Sequence, residues 1–490
     1  MKLEEIEIKG LAYNSRRVRP GDTFVAIPGL RVDGVDFVPQ AIERGAKVIV
    51  AEKQVQVPAG IDLIIVPNAR RALAELSSRF YGNPAKKLKL IGITGTNGKT
   101  TIAYLLESIL REAGHKAGLI GTVETRIDGR SVPSTLTTPE SLELQGLLDQ
   151  MLKAGVTHVV MEVSSHSLAQ YRVWGIDFDI AIYTNLTHDH LDFHHTMEEY
   201  LETKKQLFRQ LKESGIAIVN VDDPYSKKIA EEVQGEVLFY GVKEAKHEMR
   251  STKQSEFDIK LRSYDIKLDW MQVVIDSTMI KTPLTGMFNI YNILAAFQAG
   301  LALHISRDKI KAGIEKARVP GRFERVEAGQ PFPVIVDFAH SPDSLQKLLE
   351  TVRPFTKGKL ILVFGCPGDR DREKRPIMGK IAAELADKVF ITTDDPHSED
   401  PQVIIQDILK GITNPSALLG MLSLSKHYEL RITNEVDRRK AIEMALGQAQ
   451  KGDLVLIAGR GHEKYQDFNG KKVELDDREA AREIIKSKAG

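Results

Sequence analysis

Short apolar runs recur along the chain: "AKVIVAE", "DLIIVP", "LKLIGITG", "THVVMEV", "DIAIYTNL", "GIAIVNV", "PVIVDFAH", "KLILVFG", "KVFITTD" and "DLVLIAG". Between them lie stretches such as "TIAYLLESILREAG" and "PDSLQKLLETVRP", whose apolar positions follow a helical period. A run that is apolar at consecutive positions leaves no face for water. It therefore reads as a strand covered on both sides by crossover helices, which requires parallel pairing. The predicted class is α/β. Two breaks in the pattern mark boundaries. "YGNPAKKLKL" sets Gly82, Asn83 and Pro84 before a basic spacer, and Pro320 and Gly321 in "ARVPGRFERVE" end a helical segment before a fresh α/β series. The expected domains are residues 1–88, 89–320 and 321–490. Residues 255–285 alternate without helical period, so antiparallel strands are expected there, added to the middle domain.

A chain of 490 residues is about three times a typical domain of ~150, which agrees with that division. Lys plus Arg (68) nearly cancels Asp plus Glu (67), so no global charge favours nucleic acid or an anionic membrane as partner. Cys366 is the single cysteine, which excludes an intrachain disulfide and a metal site built on several thiolates. The start "MKLEEIEIKG" is charged and alternating, unlike a signal peptide, and no run reaches the ~18 apolar residues of a membrane span. A cytoplasmic protein is expected, with no membrane insertion and no nucleic-acid partner.

The chemistry begins at "GITGTNGKTT", residues 92–101. Gly98, Lys99 and Thr100 fit the end of a phosphate loop, although the position five before Gly98 is Ile93, so the strict pattern fails. What remains is a strand, a tight turn through Gly95, Thr96, Asn97 and Gly98, and a helix whose positive end begins at Lys99. Lys99 would bridge terminal phosphates and Thr100 would hold Mg²⁺; the alternative is an ordinary glycine-rich turn with a surface lysine.

Phosphate chemistry calls for metal ligands at strand ends. "HVVMEVSSHSL" offers Glu162, Ser164, Ser165 and His166, and "IYTNLTHDHLDFHH" offers His188, Asp189, His190, Asp192, His194 and His195. Zinc, Mg²⁺ shared with substrate phosphates, and a purely structural histidine cluster are all open on residue type. In "GMFNIYNILAAFQAG", Asn289 and Asn292 stand three apart on a helix, where alone they read as a cap and a solvated face. Asp337 and His340 in "VDFAHSPDSL" alone read as a cap for the helix after Pro342.

Taken in order, "GTNGKTT", "EVSSHSL", "NLTHDHLDFH", "GMFNIYNILAA", "PGRFERV" and "VDFAHSPDSL" resemble the Mur ligases, which build the peptide of peptidoglycan precursors. "YNSRRVRPGDTFVAIPG", "DDPHSEDP" and "AGRGHEKYQ" are most similar to the branch that adds a diamino acid to UDP-N-acetylmuramoyl-L-alanyl-D-glutamate. The resemblance spans nearly the whole chain. It implies a small N-terminal α/β domain, a central P-loop ATPase-like parallel sheet and a C-terminal Rossmann-like α/β domain. It further implies an ATP-dependent amide ligase that phosphorylates the D-glutamate side-chain carboxylate, after which the amine attacks the acyl phosphate.

Carried over by position, Gly95 to Thr101 (Thr101 included) would bind ATP phosphates, with Asn289, Asn292, Arg322, Asp337 and His340 completing the nucleotide site. Lys99, His190 and Lys204 would be catalytic. Thr100, Glu162 and His190 would hold magnesium, two ions being expected. Lys204 in "YLETKKQLF" matches the lysine that reacts with CO₂ to form a carbamate, whereas residue type alone reads it as a helix-surface lysine. Ser15, Thr137, Thr138, Ser164, Gln170 and Arg172 match positions that hold the UDP-linked substrate; Asn14 departs from the more usual Asp.

For the incoming amino acid the matching positions are Arg370, Asp394, Asp395, His397, Gly459 and Glu463. Members that add meso-diaminopimelate usually carry D-N-P-R where this chain has Asp394-Asp395-Pro396-His397. A neutral histidine holds a distal carboxylate less firmly than a bidentate arginine. Meso-diaminopimelate is the expected substrate and L-lysine the alternative. Folylpolyglutamate synthetase shares the cradle but lacks a comparable first domain, and a nucleotide-binding regulator without turnover is a different class again. The amino acid is expected to dock on the last domain while ATP sits on the middle one, so catalysis needs domain closure in a monomer.

Overall fold

A computed structural model describes residues 3–29, 32–132, 134, 136–242, 257–412 and 431–489. The N-terminal sheet has four parallel strands in sequential order: β1 (Leu11–Ala12), β2 (Thr23–Val25), β3 (Val48–Ala51) and β4 (Asp62–Ile65). The helix Ala69–Phe80 packs its apolar side on this sheet and is capped by the Asn68 side chain.

The central sheet contains β5 (Lys89–Thr94), β6 (Ala117–Ile120), β7 (Thr125–Ile127), β8 (Arg130–Val132), β9 (His158–Glu162), β10 (Phe178–Tyr183), β11 (Leu211–Asn220) and β12 (Glu236–Tyr240). Its order is β12-β11-β10-β5-β9-β6-β7-β8, parallel except for the β6-β7-β8 meander. Side chains alternate between two cores. Ile91, Ile93, Val160, Ile180, Ile182 and Ile218 face one, while Leu90, Val159, Met161, Ala181, Tyr183 and Val219 face the other. This two-sided burial is what the uninterrupted apolar runs require.

The expected antiparallel addition is a three-stranded sheet, β13 (Leu261–Ile266), β14 (Met271–Ile275) and β15 (Thr278–Thr282). The apolar helix Met287–Ala302 follows and is buried beside the helix Lys99–Glu112.

The last sheet runs β16 (Glu324–Arg325), β17 (Val334–Asp337), β18 (Leu360–Phe364), β19 (Lys388–Ile391), β20 (Ile432–Asn434) and β21 (Leu454–Ala458), in the order β16-β17-β21-β18-β19-β20. Only β16 pairs antiparallel. Here too alternate residues face opposite cores: Ile335, Leu360, Leu362 and Leu456 on one side, Val336, Ile361, Val363 and Ile457 on the other. A hairpin, β22 (Tyr465–Phe468) and β23 (Lys471–Glu474), follows. Among the described residues no helix is long and apolar enough to cross a membrane.

Candidate active site

The carboxyl ends of β5, β9 and β10 open toward those of β17, β19 and β21, and a cleft of about 1730 Å³ lies between them, lined from both domains. Open parallel sheets bind ligands at this edge, because helix N-termini and loop N–H groups collect there.

The expected phosphate loop forms the turn between β5 and the helix Lys99–Glu112. Gly98 has φ +93°, and a Cβ on it would come 2.5 Å from Asn292 Oδ1, so only glycine fits. Lys99 Nζ donates to the Gly95 and Thr96 carbonyls at 2.8 and 2.9 Å, which holds the ammonium over the loop. Burial lowers its pKa, and Glu162 and Asp189 partly oppose that. The Asn97 N–H donates to Asn185 Oδ1 and its amide donates to Asp343 Oδ2, a contact reaching into the C-terminal domain. Thr96 lines the cleft, and Thr101 is buried on the first turn of the helix and also lines it.

Thr100 and Glu162 meet directly. The Thr100 hydroxyl donates to Glu162 Oε2 at 2.9 Å and accepts from Arg322 Nη2 at 3.2 Å. Glu162 also accepts from the Thr122 N–H and hydroxyl. A buried carboxylate ringed by hydroxyl oxygens is a donor set that suits a hard divalent cation. His190 sits on the same cleft at φ +56°, and burial lowers its pKa to about 3, leaving a neutral imidazole able to act as a ligand.

Asp189 beside it lies within 4.0 Å of His190, His340 and Lys374. Burial alone would raise the Asp189 pKa, but Lys374 and His190 hold it below the ordinary value. The histidine-rich loop does not gather into a zinc cage. His188 pairs with Asp371 across the domain boundary, whereas His194 stacks on Tyr200. Among the described residues, the sets of three or more metal-binding side chains are His188–Asp371–Glu373 and Asp394–Asp395–Glu463.

Three readings made from residue type alone are corrected. Lys204 is not on the surface: it is 1 % exposed, with Nζ 4.4 Å from the centre of the Tyr200 ring, and burial pushes its pKa well down. Asn289 and Asn292 lie on the buried side of their helix, where Asn292 donates to Asn289 Oδ1 and Asn289 donates to the Thr285 carbonyl. Asp337 does not cap the helix Pro342–Val352, a task performed by Ser341. Instead it accepts from the Phe323 and Ala339 N–H groups. Arg322 stacks on Phe338 at 4.3 Å, and His340 Nδ1 lies 2.8 Å from the Phe338 carbonyl.

Thr137, Ser164 and Arg172 line the cleft. Thr138 and Gln170 act behind them, their carbonyl and side-chain oxygens accepting from Arg172 Nη1 and Nη2 at 2.9 and 2.7 Å. Ser15 lies apart in the N-terminal domain, donating to Gln40 Oε1. Gly95 and Asn289 likewise do not line the cleft; they shape the loop and the helix behind it.

At the far end Arg370, Asp394, Asp395, His397, Gly459 and Glu463 all line the cleft. Oxygens of Asp394, Asp395 and Glu463 lie within 4.8 Å of one another, and Arg460 pairs with all three. Gly459 has φ +117°, and a Cβ there would come 2.5 Å from Asp394 Oδ2, a buried oxygen with no hydrogen-bond partner among the described residues. Burial, then the Asp394 charge, pushes Glu463 up to about 8. His397 stands at φ +49°, its ring 3.6 Å from Asp467, and Arg370 is exposed. Reasoning from sequence missed Lys374, Asp371, Arg460 and Thr122. The first three lie in "GCPGDRDREKRP" and "AGRGHEKYQ", where residue type does not tell a packed charge from a solvated one, and Thr122 carried no signal.

Family descriptions match three segments: "Mur ligase family, catalytic domain" residues 7–81, "Mur ligase middle domain" residues 93–300, and "Mur ligase, glutamate ligase domain" residues 321–461. A UDP-N-acetylmuramoyl-L-alanyl-D-glutamate–2,6-diaminopimelate ligase of Geobacillus thermodenitrificans is 44 % identical, covering 98 % of this chain and 96 % of its own. The ligase of the same name from Caldanaerobacter subterraneus is 41 % identical, covering 98 % and 95 %. A solved structure of that name superposes with TM-score 0.65 at 31 % identity, covering 100 % of this chain and 98 % of that one. A MurF ligase of Thermotoga maritima in complex with ADP shares the fold, with TM-score 0.63 at 21 % identity and 97 % coverage of both chains.

Proposed function

The chain belongs to the Mur ligase family, and from that premise we propose that it joins meso-diaminopimelate to UDP-N-acetylmuramoyl-L-alanyl-D-glutamate at the expense of ATP. One observation carries this reading: a single cleft joins a phosphate loop on the central domain to a carboxylate-lined end on the C-terminal domain. The γ-phosphoryl group passes to the D-glutamyl side-chain carboxylate, giving ADP and an acyl phosphate. The amine of the incoming amino acid then attacks the acyl carbon, phosphate leaves, and the amine loses a proton as the amide forms. A carboxylate is a poor electrophile until one oxygen becomes a good leaving group, so activation precedes attack.

Lys99 and the loop N–H groups neutralise the transferring phosphoryl oxygens, and Arg322 reaches the same point from the C-terminal domain. Asn292, Asp337 and His340 line the nucleotide side, and Ser164 and Arg172 the peptide side. Thr100, Glu162 and His190, joined by Lys204 as a carbamate, would hold Mg²⁺, which would supply positive charge against the phosphates. Those residues fit the ions: the first two share an oxygen cluster, and Lys204 is a buried amine with no carboxylate in ion-pair contact among the described residues. Asp394, Asp395 and Glu463 receive the ammonium of the amino acid, and Arg370 its carboxylate. The reaction belongs in the cytoplasm, where ATP is available, and the protein acts as a monomer.

Supplying the purified protein with ATP, the UDP-linked dipeptide and a panel of amino acids tests this. Phosphate release and a product mass matching one added diaminopimelate are expected, with kcat/KM for meso-diaminopimelate above that for L-lysine. A preference for lysine would overturn the amino-acid assignment, and no amino-acid-dependent phosphate release would overturn the ligase reading.

A further inference from the structure

Glu140 lies just before the helix Ser141–Lys153, in the N-cap position, where short polar side chains normally satisfy the first free N–H groups. Its carboxylate makes no such cap. Instead it reaches two arginines from different domains. Oε1 lies 2.9 Å from Arg172 Nε, and Oε2 lies 3.5 Å from Arg70 Nη1 on the N-terminal domain's helix Ala69–Phe80. Both pairs are largely shielded from water, with side-chain exposures of 10–20 %.

The same helix grips the turn that carries Arg172. Arg71 stacks 3.9 Å from the Trp174 ring centre, and Trp174 Nε1 donates to Glu75 Oε1 at 3.2 Å. Tyr171, immediately before Arg172, is held at φ +57°, a backbone region that non-glycine residues rarely adopt. One turn beyond Glu140, Glu143 accepts from the Tyr13 hydroxyl and pairs with Arg17, which flank Ser15. Arg172 itself donates Nη1 to the Thr138 carbonyl and Nη2 to Gln170 Oε1, leaving a further N–H on each terminal nitrogen at the cleft.

We infer that Glu140 is a positioning residue for the UDP-linked substrate: by bridging Arg70 and Arg172 it fixes the N-terminal domain to the turn that presents Arg172. The inference rests on the ligase reading above, in which the N-terminal domain takes the uridine end and Arg172 the peptide end. A carboxylate shared between the two domains then sets the spacing between the two halves of one long substrate. Nothing about ATP or the amino acid depends on it.

The variants Glu140→Gln and Arg70→Gln separate this role from mere stabilisation. In each, KM for the UDP-linked dipeptide should rise about tenfold, with kcat and the KM for ATP within about twofold of wild type. The double variant should be no worse than either single one, because both remove the same bridge. Calorimetry with uridine diphosphate alone should show unchanged affinity, since that probe spans one domain only, whereas affinity for the whole UDP-linked dipeptide should fall. Arg70→Lys should recover part of the loss, and it serves as the test if Glu140→Gln fails to fold.

An unchanged KM, tighter binding through the unmasked arginines, equal losses for both probes, or matching losses in kcat and ATP affinity would each overturn the inference. A wild-type protein that binds the UDP-linked dipeptide but does not ligate it would fail the ligase reading while leaving this binding test intact.

Discussion

Replacing Lys204 by methionine separates what this side chain does for the fold from what it does for the reaction. Lys204 is 1 % exposed on the helix Met197–Phe208, and its contact is with the Tyr200 ring. Burying an ammonium without a partner costs several kcal/mol, and a desolvated cation–π contact returns about 2 kcal/mol. The unmodified lysine is therefore a net cost of about 1–4 kcal/mol, which methionine, of similar length and apolar, relieves. At about 2–4 °C per kcal/mol for a domain of this size, the melting temperature should rise by about 2–16 °C in carbonate-free buffer. Ligation should fall by about 10²–10³-fold, the usual scale for removing a preorganised charge contact. Bicarbonate with Mg²⁺ should stabilise the wild type and leave the variant unaffected, because only the amine can become an anionic ligand. Scanning fluorimetry and phosphate release read both effects. A variant that melts lower, or that still ligates, or that responds to bicarbonate as the wild type does, would refute the reasoning.

Two further outcomes follow from the geometry. Gly98→Ala forces a left-handed alanine, at about 1–2 kcal/mol, and drives its Cβ to 2.5 Å from Asn292 Oδ1. Calorimetry with a non-hydrolysable ATP analogue should show affinity reduced about tenfold or more, and unchanged affinity would remove this loop from the nucleotide site. Glu463 has its pKa raised by burial and then by Asp394 to about 8, above the ordinary 4.5, so its protonated form contributes stability present below about 4.5 and lost as pH rises through about 8. Glu463→Gln, neutral throughout, should gain stability over wild type mainly at the alkaline end of a pH 5–9 melting series; parallel profiles would contradict that.

The parallel sheets were legible because a strand buried on both faces leaves an uninterrupted apolar signature, as at residues 90–93 and 454–458. The glycine turn between β5 and the helix Lys99–Glu112 was legible because its glycines and lysine are adjacent in sequence. Lys204 was not legible from residue type, since the amphipathic helix Met197–Phe208 carries Lys204 and Lys205 side by side, and only packing decides which is buried. Lys374 and Arg375 are hidden in the same way within "DREKRP": both are fully packed, one against the Asp189 carboxylate and the other between Glu399 and Asp407. Sequence pattern conveys periodicity along an element. It does not convey which charged residue faces a partner from another domain, and Glu140 reads as an ordinary helix-start acid for that reason.

The charges of the cleft also bear on the orientation proposed for the substrates. One end gathers Lys99, Arg322, Lys374 and the N-terminus of the helix Lys99–Glu112, while the other gathers the Asp394 and Asp395 carboxylates around Arg460, with Glu463 beside them protonated up to about pH 8. Between them His166, His190 and His340 are kept neutral by burial, with pKa values of about 4 for His166 and about 3 for His190, so they add lone pairs without adding charge. An anion is drawn to the first end and an ammonium to the second, and reversing either would set like charges together in a partly desolvated space. On the proposed reading the cleft would order its ligands before any bond forms: phosphate over the loop, amine against the carboxylates, and the carboxylate to be activated between them.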